Sequence, residues 1–241
     1  MEDNFNLVHG SSSLTSGLSN YNKWIIRKLS EYSVIRGRVF EFGCGTGGIT
    51  KALSSLPEVE SVIANDTSAS VAAFFKSNSS RLGSNVEFLP IDIFEVSKDL
   101  RWDISITTNT LEHIHDEGPY LAEITKRAST KTSLVLVPAF QFLYGTLDKD
   151  GGHFRRYTKK TFSTMVENQG LRIEKMEYFN FPGVFGWWFN YVFMGSTNYV
   201  SNSHHFSYRL FDKVIVPFYS PLEDLLSIPL GLSLIAQVKA R

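Results

Sequence analysis

Disulfide chemistry is missing from this sequence. Its 241 residues include one cysteine, Cys44, so no bridge can form within the chain, and a reducing compartment is expected. Net charge is missing too, because 24 Lys plus Arg balance 24 Asp plus Glu. That argues against a nucleic-acid surface built on bulk charge, although a local basic patch stays open. No apolar run is long enough to span a bilayer. The nearest, FNFPGVFGWWFNYVFMG over 179–195, has 17 residues broken by two Asn, one Pro and three Gly, where about 20 apolar residues are needed. The opening MEDNFNLVHG has no basic or apolar region of the signal-peptide kind. A cytoplasmic protein with no transmembrane segment is the expectation.

What is present is material for a core. Hydrophobic residues make up 43% and charged residues 20%, an ordinary globular balance. Residues 1–18 are rich in Ser and Asn and are expected to be mobile. From 19 to 241 no linker and no repeat interrupts the chain, so one domain is expected.

The periodicity predicts a helix from Ser19, with Tyr21, Trp24, Ile25, Leu29 and Tyr32 on one face. GRVFEF reads as a buried strand, followed by a helix carrying Ile49, Ala52, Leu53 and Leu56. VESVIAND is a second strand, and Ser68 caps a helix through about Lys76. NVEFLPID and WDISITT are the third and fourth strands, with a helix around Tyr120, Leu121 and Ile124 before the fifth, TSLVLVP. Thr158 and Gly170 bracket a helix striped by Phe162, Met165 and Val166. LRIEKMEYF and LSLIAQVKA are strands six and seven. This alternation predicts an α/β fold with a seven-stranded, mostly parallel sheet covered by helices on both faces. Two long departures, at about 138–157 and 181–230, follow strands five and six. Ligands of open α/β sheets sit beyond the carboxyl ends of the strands, so these insertions are expected to form a lid.

The loop EFGCGTGGIT, 41–50, has two registers. Gly43, Gly45 and Gly48 spell the dinucleotide fingerprint; Glu41, Gly43, Gly45 and Gly47 spell the loop that binds S-adenosylmethionine. Either way a strand ends, glycines turn the backbone and a ligand meets peptide N–H groups. Asp66, after strand two, suits the ribose hydroxyls of both cofactors. Glu41 separates them, because a carboxylate there balances an ammonium group and would be unwelcome to a pyrophosphate. Asp92, ending strand three, is placed for an adenine amino group, and Asn109 to Leu111 for the sulfonium end. With EFGCGTGG, ANDTS, PIDIF and WDISITTNTLEHIHD in this order, the sequence resembles the class I S-adenosylmethionine-dependent methyltransferases.

That resemblance implies a Rossmann-like fold, S-adenosylmethionine as cofactor and S-adenosylhomocysteine as product. It places Glu41, Gly43, Cys44, Gly45, Asp66, Thr67, Asp92, Ile93, Asn109 and Leu111 at the cofactor, Cys44 through its backbone. FLYGTLDKDGGHFRRYT, YFNFPGVFGWWFN, PLGLSLIAQVKA and NYNKWI also resemble one poorly characterised branch of that family. Its members occur alone or fused to glycosyltransferases, often among sugar-polymer or glycolipid genes. The stretch from about 195 to 210, with His204 and His205, departs from that branch.

Methyl transfer from a sulfonium is an in-line displacement, so positioning does much of the work. A hydroxyl acceptor also needs a base, most often His. His113, just after strand four, and His153, in the first insertion, are the candidates; His115 is expected to face elsewhere. Tyr144, Arg155, Arg156 and Tyr157 are candidate acceptor contacts, since arginine forks suit anionic groups. The alternative is that the arginines tie the lid to Asp148, Asp150 or another carboxylate. A metal set from Glu112, His113, His115 and Asp116 is weak, and no metal is expected. The aromatic segment around Trp187 and Trp188 could wall an acceptor pocket, stack on sugar, touch a membrane or simply pack on the sheet. Tyr21 and Trp24 either close over the cofactor or belong to the core.

The expected activity is O-methylation of a small polar acceptor such as a sugar or glycolipid intermediate, anionic in one version. The alternatives are N-methylation of an amino sugar or other amine, a non-catalytic cofactor-binding partner of a glycosyltransferase, and an NAD-dependent oxidoreductase.

Overall fold

The computed structural model describes residues 19–196, 209–223, 225–226 and 228–241. The expected mobile segment 1–18 and the pair His204 and His205 lie outside the described residues. Among the described residues seven strands and eight α-helices are found, with short 3-10 and π turns between them. The chain begins with α1 (Ser19–Ser30), β1 (Gly37–Phe42), α2 (Gly48–Ser54), β2 (Val59–Asn65), α3 (Ala69–Leu82) and β3 (Val86–Leu89). It continues with β4 (Ile104–Thr108), α4 (Glu117–Arg127), β5 (Thr132–Pro138), α5 (Thr146–Asp150), α6 (Lys159–Asn168) and β6 (Leu171–Phe179). Helices α7 (Phe181–Trp187) and α8 (Val216–Glu223) precede β7 (Ser233–Ala240).

The seven strands form one sheet in the order β3-β2-β1-β4-β5-β7-β6. The first five run parallel, and β7 lies antiparallel between β5 and β6. Helices pack on both faces, and β5 near the centre is buried at all seven positions. On β5, Val135 and Val137 enter a core with Leu121 and Ile124 of α4 and Phe162 and Val166 of α6. Leu134 and Leu136 enter the opposite core with Trp24 and Leu29 of α1, Leu53 of α2 and Val216 of α8. Tyr21 and Trp24 are buried in this second core, Trp24 against Phe179 at 4.5 Å between ring centroids. Core packing therefore accounts for both.

Three boundaries differ from the sequence reading. The third strand ends at Leu89, because Pro90 has no N–H to continue the ladder. The fourth begins at Ile104, since the Trp102 side chain turns inward to stack on Phe40. The helix begun at Ser68 runs on to Leu82 and stops at Gly83, whose φ of 126° an L side chain rarely adopts. The Thr158 cap is formed as expected: its hydroxyl accepts from the Thr161 N–H, satisfying one of the unpaired donors of the first turn of α6.

Strand order reverses between β1 and β4, which gives the sheet its crevice at their carboxyl ends. Both insertions leave from this side. The first returns at once to β5: Ala139 and Tyr157 form a parallel bridge, and the Tyr157 N–H donates to the Pro138 carbonyl. The second packs on the first, with the Trp187 indole donating to the Leu143 carbonyl and Arg156 lying 4.5 Å from the Trp187 ring centroid.

Candidate functional site

Gly43, Gly45 and Gly47 have φ of 75°, 50° and 76°, whereas Gly48 is the first helical residue of α2. The left-handed positions fall on the register that begins at Glu41. An added Cβ at Gly43 would lie 2.2 Å from the Thr110 side chain. Gly43→Ala is therefore expected to cost about 1–3 kcal/mol of backbone strain, apart from that clash. Calorimetry should show weaker cofactor binding and a lower Tm.

The carboxylates stand around this loop. One Asp66 oxygen accepts from the Gly45 N–H at 3.0 Å and the other from the Ser68 N–H at 2.9 Å. Asp92, half-buried after β3, accepts from the Phe94 N–H and the Tyr120 hydroxyl. Asn109 is exposed at φ 49° after β4, and Thr67 is exposed after β2. The side chains of Cys44, Ile93 and Leu111 are buried in the cores, so only their main chains can meet a ligand.

Glu41 is almost fully buried and accepts from the Thr50 hydroxyl at 2.6 Å. Burial, partly offset by Thr50 and reinforced by Asp66, pushes its pKa up to about 8. Glu112 is fully buried, and neither carboxyl oxygen has a hydrogen-bond partner. Burial pushes its pKa up to about 7, against the opposing pull of His153. Both folded-state values exceed the ordinary 4.5. The folded chain therefore holds more protons than the unfolded one between about pH 5 and 8, and stability falls as pH rises through that window. Glu112→Gln should remove up to about 3 kcal/mol of that fall, visible as a smaller difference in Tm between pH 5.5 and pH 8.

The second cluster forms where the first insertion folds onto the turn after β4. Thr110 contacts the glycine loop through the Phe42 and Gly43 carbonyls, and the turn Leu111–His113 follows directly. The Phe154 N–H donates to the Glu112 carbonyl at 2.8 Å, which brings the His113 and His153 rings edge to face at 4.5 Å. His153 Nδ1 lies 2.7 Å from Asp148 Oδ1. Asp148 also accepts from Arg156 Nε at 2.9 Å and from the Gly145 N–H at 2.8 Å. Burial alone would raise this carboxyl, but His153, Arg156 and Gly145 outweigh it and hold it below the usual range. An ionised carboxylate only accepts, so Nδ1 of His153 donates to it, and in the neutral ring Nε2 carries the lone pair. His113 is open to solvent on one side. On the other, burial and the His153 ring push its pKa down to about 4.

Sequence reasoning treated Asp148 only as a tether and overlooked its bond to His153. Its metal set also changes membership: ligand atoms of Glu112, His113 and His153 lie within 4.8 Å of one another. His115 instead packs on the Phe154 ring. Two of the expected acceptor contacts turn inward. Arg156 is buried and spends its guanidinium on Asp148 and the Ala139 carbonyl. Tyr157 is buried with its hydroxyl toward Glu117. Arg155 pairs with Glu117 and donates to the His115 carbonyl, and the Tyr144 hydroxyl donates to the His153 carbonyl. Arg155 ties the first insertion to α4, and Arg156 holds that insertion together internally.

A glycine cradle and two carboxylates at the carboxyl ends of a doubly covered parallel sheet define a Rossmann-like protein built for a nucleoside cofactor. Residues 39–129 match the family model described as a methyltransferase domain. The matched stretch contains the glycine loop, Asp66, Asp92 and Asn109. A search of curated proteins found no match. Among solved structures, it is similar to magnesium protoporphyrin IX methyltransferase of Synechocystis PCC 6803 with bound S-adenosylhomocysteine: 12% identity, 92% of this chain and 84% of that one, TM-score 0.55. It is similar to an S-adenosylmethionine-dependent methyltransferase of Clostridium acetobutylicum, with 12% identity, 92% of each chain and TM-score 0.57. A sarcosine dimethylglycine methyltransferase assignment in Galdieria sulphuraria gives 12% identity, 91% and 84% coverage and TM-score 0.60. At such identities these likenesses speak to the fold, and the acceptor must be argued from this chain's own residues. No helix among the described residues is long and apolar enough to cross a membrane.

Proposed function

We propose that the protein methylates a hydroxyl oxygen of a small polar acceptor, such as a sugar or glycolipid intermediate, with His153 as the base. The observation that carries this reading is the 2.7 Å contact between His153 Nδ1 and Asp148. A buried carboxylate that fixes one ring nitrogen as donor leaves the other to take a proton, and it stabilises the imidazolium that results. An amine acceptor in its neutral form needs no such base.

Glu41, Asp66, Asp92 and the main chain of the glycine loop would hold S-adenosylmethionine, which supplies a sulfonium-activated methyl group when bound. Asp66 and Asp92 offer acceptors for ribose and adenine, and Glu41 supports the amino end. Asn109 and Leu111, through their main chains, run beneath the sulfonium end. His153 Nε2 takes the acceptor's hydroxyl proton, and His113 packs its ring against His153 to fix the direction of that lone pair. The first insertion closes on the turn after β4 through Phe154 at the Glu112 carbonyl, and Trp187 packs on that insertion in turn.

The test is release of S-adenosylhomocysteine from the purified protein with panels of sugar, glycolipid and amine acceptors, with and without chelator. Turnover on hydroxyl acceptors that survives chelation and is lost in His153→Ala supports the reading. Turnover confined to amines and indifferent to His153 overturns it.

A further inference from the structure

The described residues of the second insertion are arranged inside out. In the stretch 211–223, the positions turned inward are Asp212, Val216, Ser220 and Glu223, spaced as one helical face. Three of the four are polar. Positions turned outward include Val214, Ile215, Phe218 and Leu222, with Phe218 82% exposed. A helix on the surface of a water-soluble domain shows the opposite arrangement.

The inward polar face has work to do. Asp212 accepts from the Tyr21 N–H at 2.9 Å, in the first turn of α1. The Glu223 carboxylate accepts from the Asn180 and Phe181 N–H groups at the start of α7. Each acid thus satisfies unpaired donors at the N-terminus of another helix, where negative charge is also favoured. Nothing comparable explains the outward apolar face.

The neighbouring helical segment repeats the pattern. Trp187 turns in toward Arg156 and the Leu143 carbonyl, while Trp188 is 44% exposed, along with Phe189 and Phe193. Of the sixteen large apolar side chains exposed among the described residues, twelve fall between 185 and 226. That concentration marks a surface made to be covered. The described charges settle what covers it. Between 181 and 223 the exposed ones are Arg209 and Lys213, both cationic, whereas Asp212 and Glu223 are buried.

We propose that the outer side of this second insertion is a docking surface for an anionic lipid bilayer. Apolar and aromatic side chains enter the headgroup boundary, and Arg209 and Lys213 meet its negative charge. The glycerophospholipid surface is recognised as a surface, by burial and charge, so this does not depend on the identity of the methyl acceptor. It does place the lid, through Trp187 and Arg156, between the bilayer and the Asp148–His153 pair.

The experiment is flotation of the full chain with vesicles of phosphatidylcholine alone and with a third phosphatidylserine, alongside sedimentation velocity without lipid. The monomer is expected to float with anionic vesicles and to bind them roughly tenfold or more tightly than neutral ones, with a blue shift in tryptophan emission. A Trp188→Ser, Phe189→Ser, Phe218→Ser variant should lose binding to both vesicles while keeping its Tm. Arg209→Glu with Lys213→Glu should lose only the anionic preference. The proposal is overturned if the parent chain fails to float, if the triple-serine variant floats equally well, or if the same substitutions instead dissolve a dimer that shows no affinity for lipid.

Discussion

Replacing His153 by alanine is expected to lower kcat on a hydroxyl acceptor by about 10²–10⁴-fold while leaving cofactor affinity within about twofold. The selectivity follows from position. His153 belongs to the first insertion, and its partners are Asp148, His113 and the nearby Glu112, none of them in the glycine loop. Asp148→Asn should reproduce most of the loss, because the amide no longer stabilises the imidazolium and no longer dictates which ring nitrogen is protonated. Neither change should raise KM for the cofactor, whereas a general loosening of the fold would lower kcat and cofactor affinity together. Single-turnover release of S-adenosylhomocysteine, measured beside cofactor titration, separates the two parameters. A His153→Ala protein that turns over a hydroxyl acceptor at the parent rate would remove His153 from the chemistry.

Much of this frame is visible in the amino-acid pattern because its determinants are local. Both faces of the central strands are covered, so β5 is buried at every position and its LVLV core carries no alternation. Left-handed backbone needs glycine, so the turn after β1 announces itself at Gly43, Gly45 and Gly47. Local signals also set the limits. Pro90 cuts β3 short within a stretch whose composition still looks like strand, and Trp102 turns inward just before β4.

The lid was legible only as an interruption. Its decisive contacts join residues whose spacing has no period: Asp148 to His153 and Arg156 around the irregular end of α5, and Phe154 back to Glu112. HFRRY reads as an exposed basic motif until the Tyr157 bridge to β5 draws it inward. Once it is inward, an unpaired guanidinium would be costly, and Asp148 becomes the reason Arg156 can be there. Likewise Asp212 looks like a surface acid in FDKVI, and only the arrival of α1, 191 positions away in the chain, makes it a cap.

Arg156→Ala is the substitution expected to cost the most stability, about 3–5 kcal/mol, because it leaves a buried carboxylate without its guanidinium. Asp148 is fully buried and Arg156 nearly so. For a chain of this size the loss corresponds to a Tm lower by about 10 °C. His153 remains beside Asp148 in the variant and still donates to it. The same substitution removes the stacking of Arg156 on Trp187, so the second insertion should loosen with the first, and amides of α7 should exchange faster. A double variant, Asp148→Leu with Arg156→Met, separates fold from function. With both charges gone the burial penalty disappears, and most of the lost stability should return. Turnover should not return, since His153 then has no carboxylate to orient it. If the double variant recovered both stability and rate, the ion pair would be a structural clasp alone and His153 would act without it.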